Sequence, residues 1–195
     1  DPVTVEVVGD IDVAHPKRQV SLTRDASTGR IGVAYVNGDG FVRYGYSDDE
    51  GDHFSLETVS ATRADGAKLS NPVLGLKNGE THVAYVAHPT CTQGCGELVY
   101  RKRTGTGAFV DQSPAVTAVG VPEYPIAMAL NAAGVASVAF FTDEAAGSNT
   151  ALKVWNTGTG TVPTVASSTL AIDAPAKIPS VSMIFDADLA KLAFH

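Results

Sequence analysis

Four apolar triplets recur in one phase along this chain: Val33-Ala34-Tyr35, Val83-Ala84-Tyr85, Val138-Ala139-Phe140 and Leu192-Ala193-Phe194. Their central alanines stand 50, 55 and 54 residues apart. A period of that size signals one supersecondary unit copied along the chain, with faces that can be buried only by stacking on neighbouring copies. Each triplet follows a turn carrying Gly, Asn or Asp: Ser27-Thr28-Gly29, Lys77-Asn78-Gly79, Asn131-Ala132-Ala133-Gly134 and Asp186-Ala187-Asp188. Ahead of each turn lies a short apolar run introduced by a proline, at Pro16, Pro72, Pro125 and Pro179. Proline at the first residue of a strand forfeits no ladder hydrogen bond, so its recurrence marks where each first strand begins.

Each unit reads as four short antiparallel strands, A to D. The first has A near 20–23, B at 31–36, C at 41–46 and D at 55–59. The second has A at 73–76, B at 81–86, C at 97–103 and D at about 109–116; the third has them at 126–130, 135–141, 151–156 and around 164–170. The fourth offers only A at 181–185 and B at 190–194. The B strands are apolar on both faces, with Ala alternating against Val and aromatics, which suits a sheet packed between two other sheets. The Ala-rich stretch 131–140 could be drawn as a helix, but Gly134, Val135, Val138 and the repeat phase oppose it.

Four-stranded sheets stacked radially at this period describe an all-β fold, a β-propeller. The expected organisation is a single propeller segment over 1–195 of about 3.5 repeats. The units are approximately 16–60, 72–116, 125–170 and 179–195, with 1–15 as a leading outer strand and loop. Val3-Thr4-Val5-Glu6-Val7 alternates and stands where a D strand belongs. These pieces do not make a whole number of blades. The expectation is a part of a larger propeller, with closure inside the chain through 3–7, or between copies of the chain, as the alternatives.

Composition narrows the function. A formal net charge of −7 opposes a nucleic-acid partner, which needs clustered Lys and Arg. No apolar run reaches the roughly 20 residues of a membrane-spanning helix. Asp1-Pro2 lacks the basic and apolar regions of a signal peptide, as a mature or trimmed start would. The two cysteines form Cys91-Thr92-Gln93-Gly94-Cys95, with three intervening residues and no second pair to complete a zinc site. A small disulfide-closed loop is the preferred reading, with two buried or free thiols as the alternative. A disulfide favours a secreted or cell-surface protein.

Between the C and D strands of the first unit lies Ser47-Asp48-Asp49-Glu50-Gly51-Asp52-His53-Phe54, an S-x-D-x-G-x-x-aromatic pattern. It resembles the Asp-box of the bacterial-neuraminidase-repeat proteins, the sialidase-like β-propellers. Phe54 stands where that box has Trp, and His53 where it has Thr. The resemblance implies a structural turn in which Asp49 accepts backbone N–H bonds, Gly51 takes positive φ and Phe54 packs beneath, with Ser47 as the opening residue. Weaker echoes follow at 103–109 and 156–160. Kelch and Trp-Asp signatures are absent.

The sialidase activity that the resemblance suggests is not supported. That family grips its substrate carboxylate with three arginines and uses an Asp acid/base and a Tyr–Glu pair. The Arg-Ile-Pro segment is missing, and Arg18, Arg24, Arg30 and Arg63 do not fall where three could converge. The antiparallel order puts the A–B and C–D turns on one rim and the D–A and B–C loops on the other, where ligands of such propellers bind. That places His15, Lys17, Arg18, Asp39, His88, the Cys91–Cys95 loop, Glu123, Tyr124, Asp143, Glu144, Asn149 and Lys177 on the ligand-facing rim. The expected ligand contacts are His15, Arg18, Asp39, His88, Glu123, Tyr124 and Asp143. Neither a cofactor nor a metal is expected: the histidines lack ligand spacing, and Asp48, Asp49, Glu50 and Asp52 lack a calcium-loop pattern. His15 and His88 suggest acid/base chemistry only loosely, since no diagnostic spacing accompanies them.

The resulting expectation is a secreted binding module for a glycan or protein ligand. The alternative is part of a sialidase-like glycosidase or polysaccharide lyase whose catalytic groups are completed by further blades. A purely structural blade stack is the third reading, and it has no pocket on the loop rim.

Overall fold

The protein is described from a computed structural model, over residues 20–60, 66–89, 96–114, 116, 119, 124–145, 149–168, 181–186 and 189–194. Its first unit pairs β1 (Ser21–Arg24), β2 (Ile31–Val36), β3 (Val42–Ser47) and β4 (Ser55–Thr58) in that order. The second pairs β5 (Lys68–Lys77), β6 (Glu80–His88), β7 (Glu97–Thr104) and β8 (Val110–Asp111), and the third β9 (Ala127–Leu130), β10 (Ala136–Ala145), β11 (Asn149–Asn156) and β12 (Thr164–Ser168). β13 (Val181–Asp186) and β14 (Leu189–Phe194) form a two-stranded sheet. All pairings are antiparallel. The fold is all-β, with the four-stranded blades of a propeller.

The repeat read from the sequence is a repeat of register. Ala34 pairs with Ser21, Ala84 with Val73, Ala139 with Ala127 and Ala193 with Ser182, each on the first strand of its own sheet. Ala34 belongs to the core between the first and second sheets, Ala84 to that between the second and third, and Ala139 to that between the third and fourth. The large neighbours point the opposite way. Val83 and Tyr85 pack back on the first sheet, Val138 and Phe140 on the second, and Leu192 on the third. Each blade therefore presents a small residue forward and receives large ones from the next, because faces packed at about 10 Å must interdigitate.

Two glycines extend the small forward surface. A Cβ on Gly32 would stand 2.9 Å from Leu76 Cδ1 and 3.0 Å from both Leu74 and Tyr44. One on Gly75 would stand 2.9 Å from Leu130 Cδ1. At Gly32 and Gly75 the forward faces of β2 and β5 thus lie against their neighbours with no room for a side chain.

Polar ties join successive blades at both edges of the contact. The Ser21 hydroxyl accepts the Leu74 N–H at 3.0 Å, and Asn71 Nδ2 donates to the Tyr124 carbonyl at 2.6 Å. Arg101 Nη1 donates to the Val59 carbonyl at 2.9 Å. Arg103, almost fully buried, pairs with Glu57 and lies over three rings, with Cζ 5.0 Å from the centre of Tyr44, 5.4 Å from Tyr46 and 4.9 Å from Phe109. Burying a guanidinium costs several kcal/mol. The rings return about 0.5–2 kcal/mol each, so this arrangement fixes how the blades meet more than it adds stability.

The structure departs from expectation at two strands. Pro72 does not open its strand: β5 begins at Lys68, and the register shifts between Ser70 and Val73. Asn71 takes φ 51 there, so the proline sits in a bulge, the other place a sheet tolerates it. The fourth strand of the second unit is only Val110–Asp111, shorter than 109–116. Asp111 accepts the Ser113 N–H and hydroxyl, and Ser113 Oγ accepts the Tyr100 N–H at 2.9 Å, so a side-chain turn replaces the ladder. Residues 3–7, and with them ring closure through that strand, lie outside the described residues.

Among the described residues, the outward faces at the two ends of the stack carry exposed apolar side chains. Leu22 on β1 is 70% exposed and Ile184 on β13 is 64% exposed, and Ala193 is exposed too. Ala84→Leu should destabilise the protein by about 1–3 kcal/mol through overpacking of a filled interface, whereas Ala193→Leu should stay within about 0.5 kcal/mol. Urea unfolding of the two variants checks this. Equal losses would show that the fourth sheet is covered as the second is.

Candidate functional site

The Ser47–Phe54 turn closes on its own side chains. Ser47 Oγ accepts the Gly51 N–H at 2.8 Å and donates to Asp49 Oδ1 at 2.7 Å. Asp49 Oδ1 also accepts the His53 N–H at 3.0 Å, and Oδ2 meets His53 Nδ1 at 2.7 Å. Glu50 at φ 60 and Gly51 at φ 101 supply the left-handed backbone. The Ser47 hydroxyl, then the His53 N–H and ring, hold the Asp49 carboxyl well below the usual range, and Asp49 in turn raises His53. The Asp49 carboxylate is thus engaged within its own turn; its side chain is half-exposed, its Ser47 donor is buried and its His53 donors are at the surface. Phe54 is half-buried. Next to it, Arg30 grips Asp48 with both nitrogens, at 2.6 and 2.8 Å, and covers the Tyr46 ring at 4.4 Å.

On the opposite rim the expected ligand residues separate. Asp39 is exposed in the β2–β3 turn, 3.4 Å from Asn37 Nδ2. His88 ends β6 but is buried. A Cβ on Gly96 would stand 2.9 Å from its Cε1 and 2.4 Å from the Val119 carbonyl oxygen. Val119 bridges Gly96 of the second sheet and Thr142 of the third, so it fills the seam between those blades. Tyr124 is buried in the core between the third and fourth sheets, edge-on to Phe141 at 5.8 Å. Asp143 pairs with Thr150 in the β10–β11 ladder, next to a register shift. His15, Arg18, Glu123, Cys91 and Cys95 lie outside the described residues. Of the expected contacts described here with their side chains, only Asp39 faces solvent; burial of His88 and Tyr124 serves blade packing.

A cavity of about 390 Å³ lies at the other end of the stack. Residues of β1, β5 and β9 and of the turns after β1 and β5 line it, among them Arg24, Ser27, Leu76, Lys77, Asn78 and Leu130. Asp25 holds this corner. Its Oδ1 accepts the Ser27 N–H at 2.9 Å and hydroxyl at 2.7 Å, and its Oδ2 accepts the Gly79 N–H of the next blade at 3.0 Å. Burial opposes its charge, but the Gly79 and Ser27 donors outweigh that and bring its pKa down to about 2. The sequence reading missed Asp25 and this cavity. Asp25-Ala26-Ser27 after a first strand is a recognisable side-chain turn, but nothing in one dimension shows that its second oxygen reaches the following repeat.

A third polar group lies inside the seam between the second and third blades. His82, on the buried face of β6, meets the Tyr100 hydroxyl at 2.6 Å, with Glu80 Oε2 3.6 Å from its other nitrogen. Glu80 is itself paired with Lys102 at 2.8 Å, and Tyr100 stands edge-on to Trp155 at 5.1 Å. Burial, then the Lys102 charge, lowers the His82 pKa to about 4 against the pull of Glu80. Below an unfolded pKa near 6.5 the unfolded chain takes up a proton that folded His82 refuses. Stability is therefore lost as pH falls from about 6.5 to 4, by about 3 kcal/mol in all. Asp25 adds its own loss only below 3.8. Unfolding free energies at pH 7, 5 and 4 should fall more steeply in the unmodified protein than in His82→Gln; parallel slopes would disprove the assignment.

No family model matches the sequence, and no curated protein matches it. Solved structures share the fold at low identity. An alpha-L-arabinanase of Penicillium chrysogenum complexed with arabinobiose aligns with TM-score 0.54 and 13% identity, over 91% of this chain and 58% of its own. A fucose-recognising, six-bladed propeller lectin of Aleuria aurantia aligns with TM-score 0.56 and 12% identity, over 91% of this chain and 54% of its own. A Hadza microbial sialidase aligns with TM-score 0.56 and 15% identity, over 94% of this chain and 40% of its own. The chain thus spans between two fifths and three fifths of these propellers.

Proposed function

We propose that this chain is a glycan-binding propeller module, part of a larger ring that acts outside the cytosol. One observation favours binding over catalysis. The described carboxylates with shifted titration are each committed to the architecture: Asp25 and Asp49 to turns, Asp48 to Arg30, Glu80 to Lys102 and Asp111 to Ser113 and Arg101. A glycosidase needs a carboxyl pair free to face substrate, and groups already tied into turns and ion pairs do not supply one. Propeller lectins among the fold's neighbours fit this reading, and the Ser47–Phe54 geometry fits an Asp-box. Arabinanase and sialidase neighbours favour the alternative, a glycosidase segment completed by other blades.

In this reading the β2–β3 turn with Asp39 contributes to the sugar-contacting rim, together with His15, Arg18, Glu123 and Asp143. Open faces at Leu22 and Ile184 are where further blades, or another chain, would stack. Among the described residues no helix is long and apolar enough to cross a membrane. A glycan array should show retained sugars, with Asp39→Ala weakening them at least about fivefold, a loss of roughly 1 kcal/mol. Turnover of nitrophenyl arabinofuranosides or sialosides by the same preparation would move the chain to the glycosidase alternative. Cys91 and Cys95 would close a disulfide on the same rim. Peptide mass spectrometry without reductant should find them joined, and two freely alkylated thiols would remove the argument for secretion.

A further inference from the structure

We infer that Asn78-Gly79, in the tight turn between β5 and β6, is a site of spontaneous deamidation, and that Asp25 of the preceding blade holds it closed. The chemistry belongs to the Asn-Gly pair itself. The Gly79 nitrogen attacks Asn78 Cγ, and the proton of that nitrogen leaves with the side-chain NH2 as ammonia. A cyclic imide results, and water opens it at either carbonyl, to aspartate or to isoaspartate. Glycine favours the attack because no Cβ crowds the nitrogen.

Among the asparagines whose side chains are described, Asn78 is the one that nothing anchors. Asn37, also followed by glycine, is buried, and its Oδ1 accepts the Phe41 N–H at 3.0 Å. Asn131 and Asn156 accept the Val135 and Gly158 N–H groups, each at 2.9 Å. Asn71 donates to the Tyr124 carbonyl and precedes Pro72, whose nitrogen has no proton to lose. Asn78 is exposed, and its amide has no partner among the described residues.

What is held is the nucleophile. The Gly79 N–H donates to Asp25 Oδ2 at 3.0 Å, and Oδ1 of the same carboxylate is fixed by the Ser27 N–H and hydroxyl. A hydrogen bond to a charged acceptor is one of the stronger kind. Asn78 at φ 52 and Gly79 at φ 77 are the left-handed pair that a hairpin turn of this length needs. Ring closure breaks the bond to Asp25 and abandons that geometry, so Asn78 reacts when the turn has come away from the first blade. The product prevents its return. Isoaspartate routes the main chain through the side-chain carbon, which lengthens the turn and carries the Gly79 N–H off Asp25. Aspartate adds a second carboxylate to a cavity wall that Asp25 already lines, where like charges repel. A transient loosening of the first two blades thereby becomes permanent.

The whole protein, incubated in mildly alkaline buffer, is sampled over time by peptide mass spectrometry, with isoaspartate scored by enzymatic methylation. The readout is the rate at Asn78 divided by the rate at Asn37, since unfolding of the whole protein exposes both. Asp25→Ala should raise this ratio at least about tenfold, the change in open population expected when a bond to a charged group is removed. Asp25→Asn keeps an oxygen for the Gly79 N–H without the charge and should raise it less, about threefold. Circular dichroism confirms folding, and Asp25→Asn carries the test if Asp25→Ala does not fold. An unchanged ratio in the folded variants overturns the gate. Faster modification at Asn37 than at Asn78 in the unmodified protein overturns the site. Amide hydrogen exchange at Gly79 should be faster in purified isoaspartate protein than in fresh protein, and equal exchange overturns the lasting release.

Discussion

The structure depends on one constraint: a four-stranded sheet with two apolar faces has nowhere to exist except between two others. Ala34, Ala84 and Ala139 are completely buried, and each has an aromatic or branched residue of the next blade beyond it. A fully buried Tyr, such as Tyr44 or Tyr100, removes about 150–250 Å² from water, roughly 4–6 kcal/mol before entropy is counted. That gain is available only when the neighbouring sheet is in place. Blades therefore stabilise one another in series, and the fourth unit, with one covered face, leaves Ile184 and Ala193 in solvent.

Polar groups then set the angle and the level at which blades meet. Arg101 and Arg103 reach back from the second blade, while Asp25 reaches forward from the first. Each also has a cost in buried charge that its partners offset. Among the described acids, Asp25, Asp48, Asp49, Glu80 and Asp111 are already engaged in turns and ion pairs. A propeller of this kind keeps its chemistry in loops and at channel ends, where a side chain can be free without weakening a seam.

Its two ends differ. The β2–β3 side is sealed between the second and third blades by Val119 and the His88 ring pressed on Gly96, and it offers Asp39 to solvent. The β1–β2 side opens into a cavity edged by Arg24 and Lys77.

By itself the sequence determined the class, the period and the phase. Small and large residues alternating at the same place in four repeats leave a sheet between sheets as the only arrangement that buries both. The strand ladder followed, with Ile31–Val36 legible to the residue because Gly29-Arg30 and Asn37-Gly38 punctuate it. The Ser47–Phe54 turn was legible too, since the bonds that close it, among Ser47, Asp49, Gly51 and His53, are local. What tertiary structure decided were the long-range pairings. Pro72 opens a strand in every local respect, yet the bulge at Asn71 carries the ladder past it, with the Tyr124 carbonyl, 53 residues away, as the anchor. His88 and Tyr124 read as loop residues, and burial by neighbouring blades turned them inward. The cavity edged by Arg24 and Lys77 had no sequence signature, because its walls come from three repeats that meet only when the blades stack.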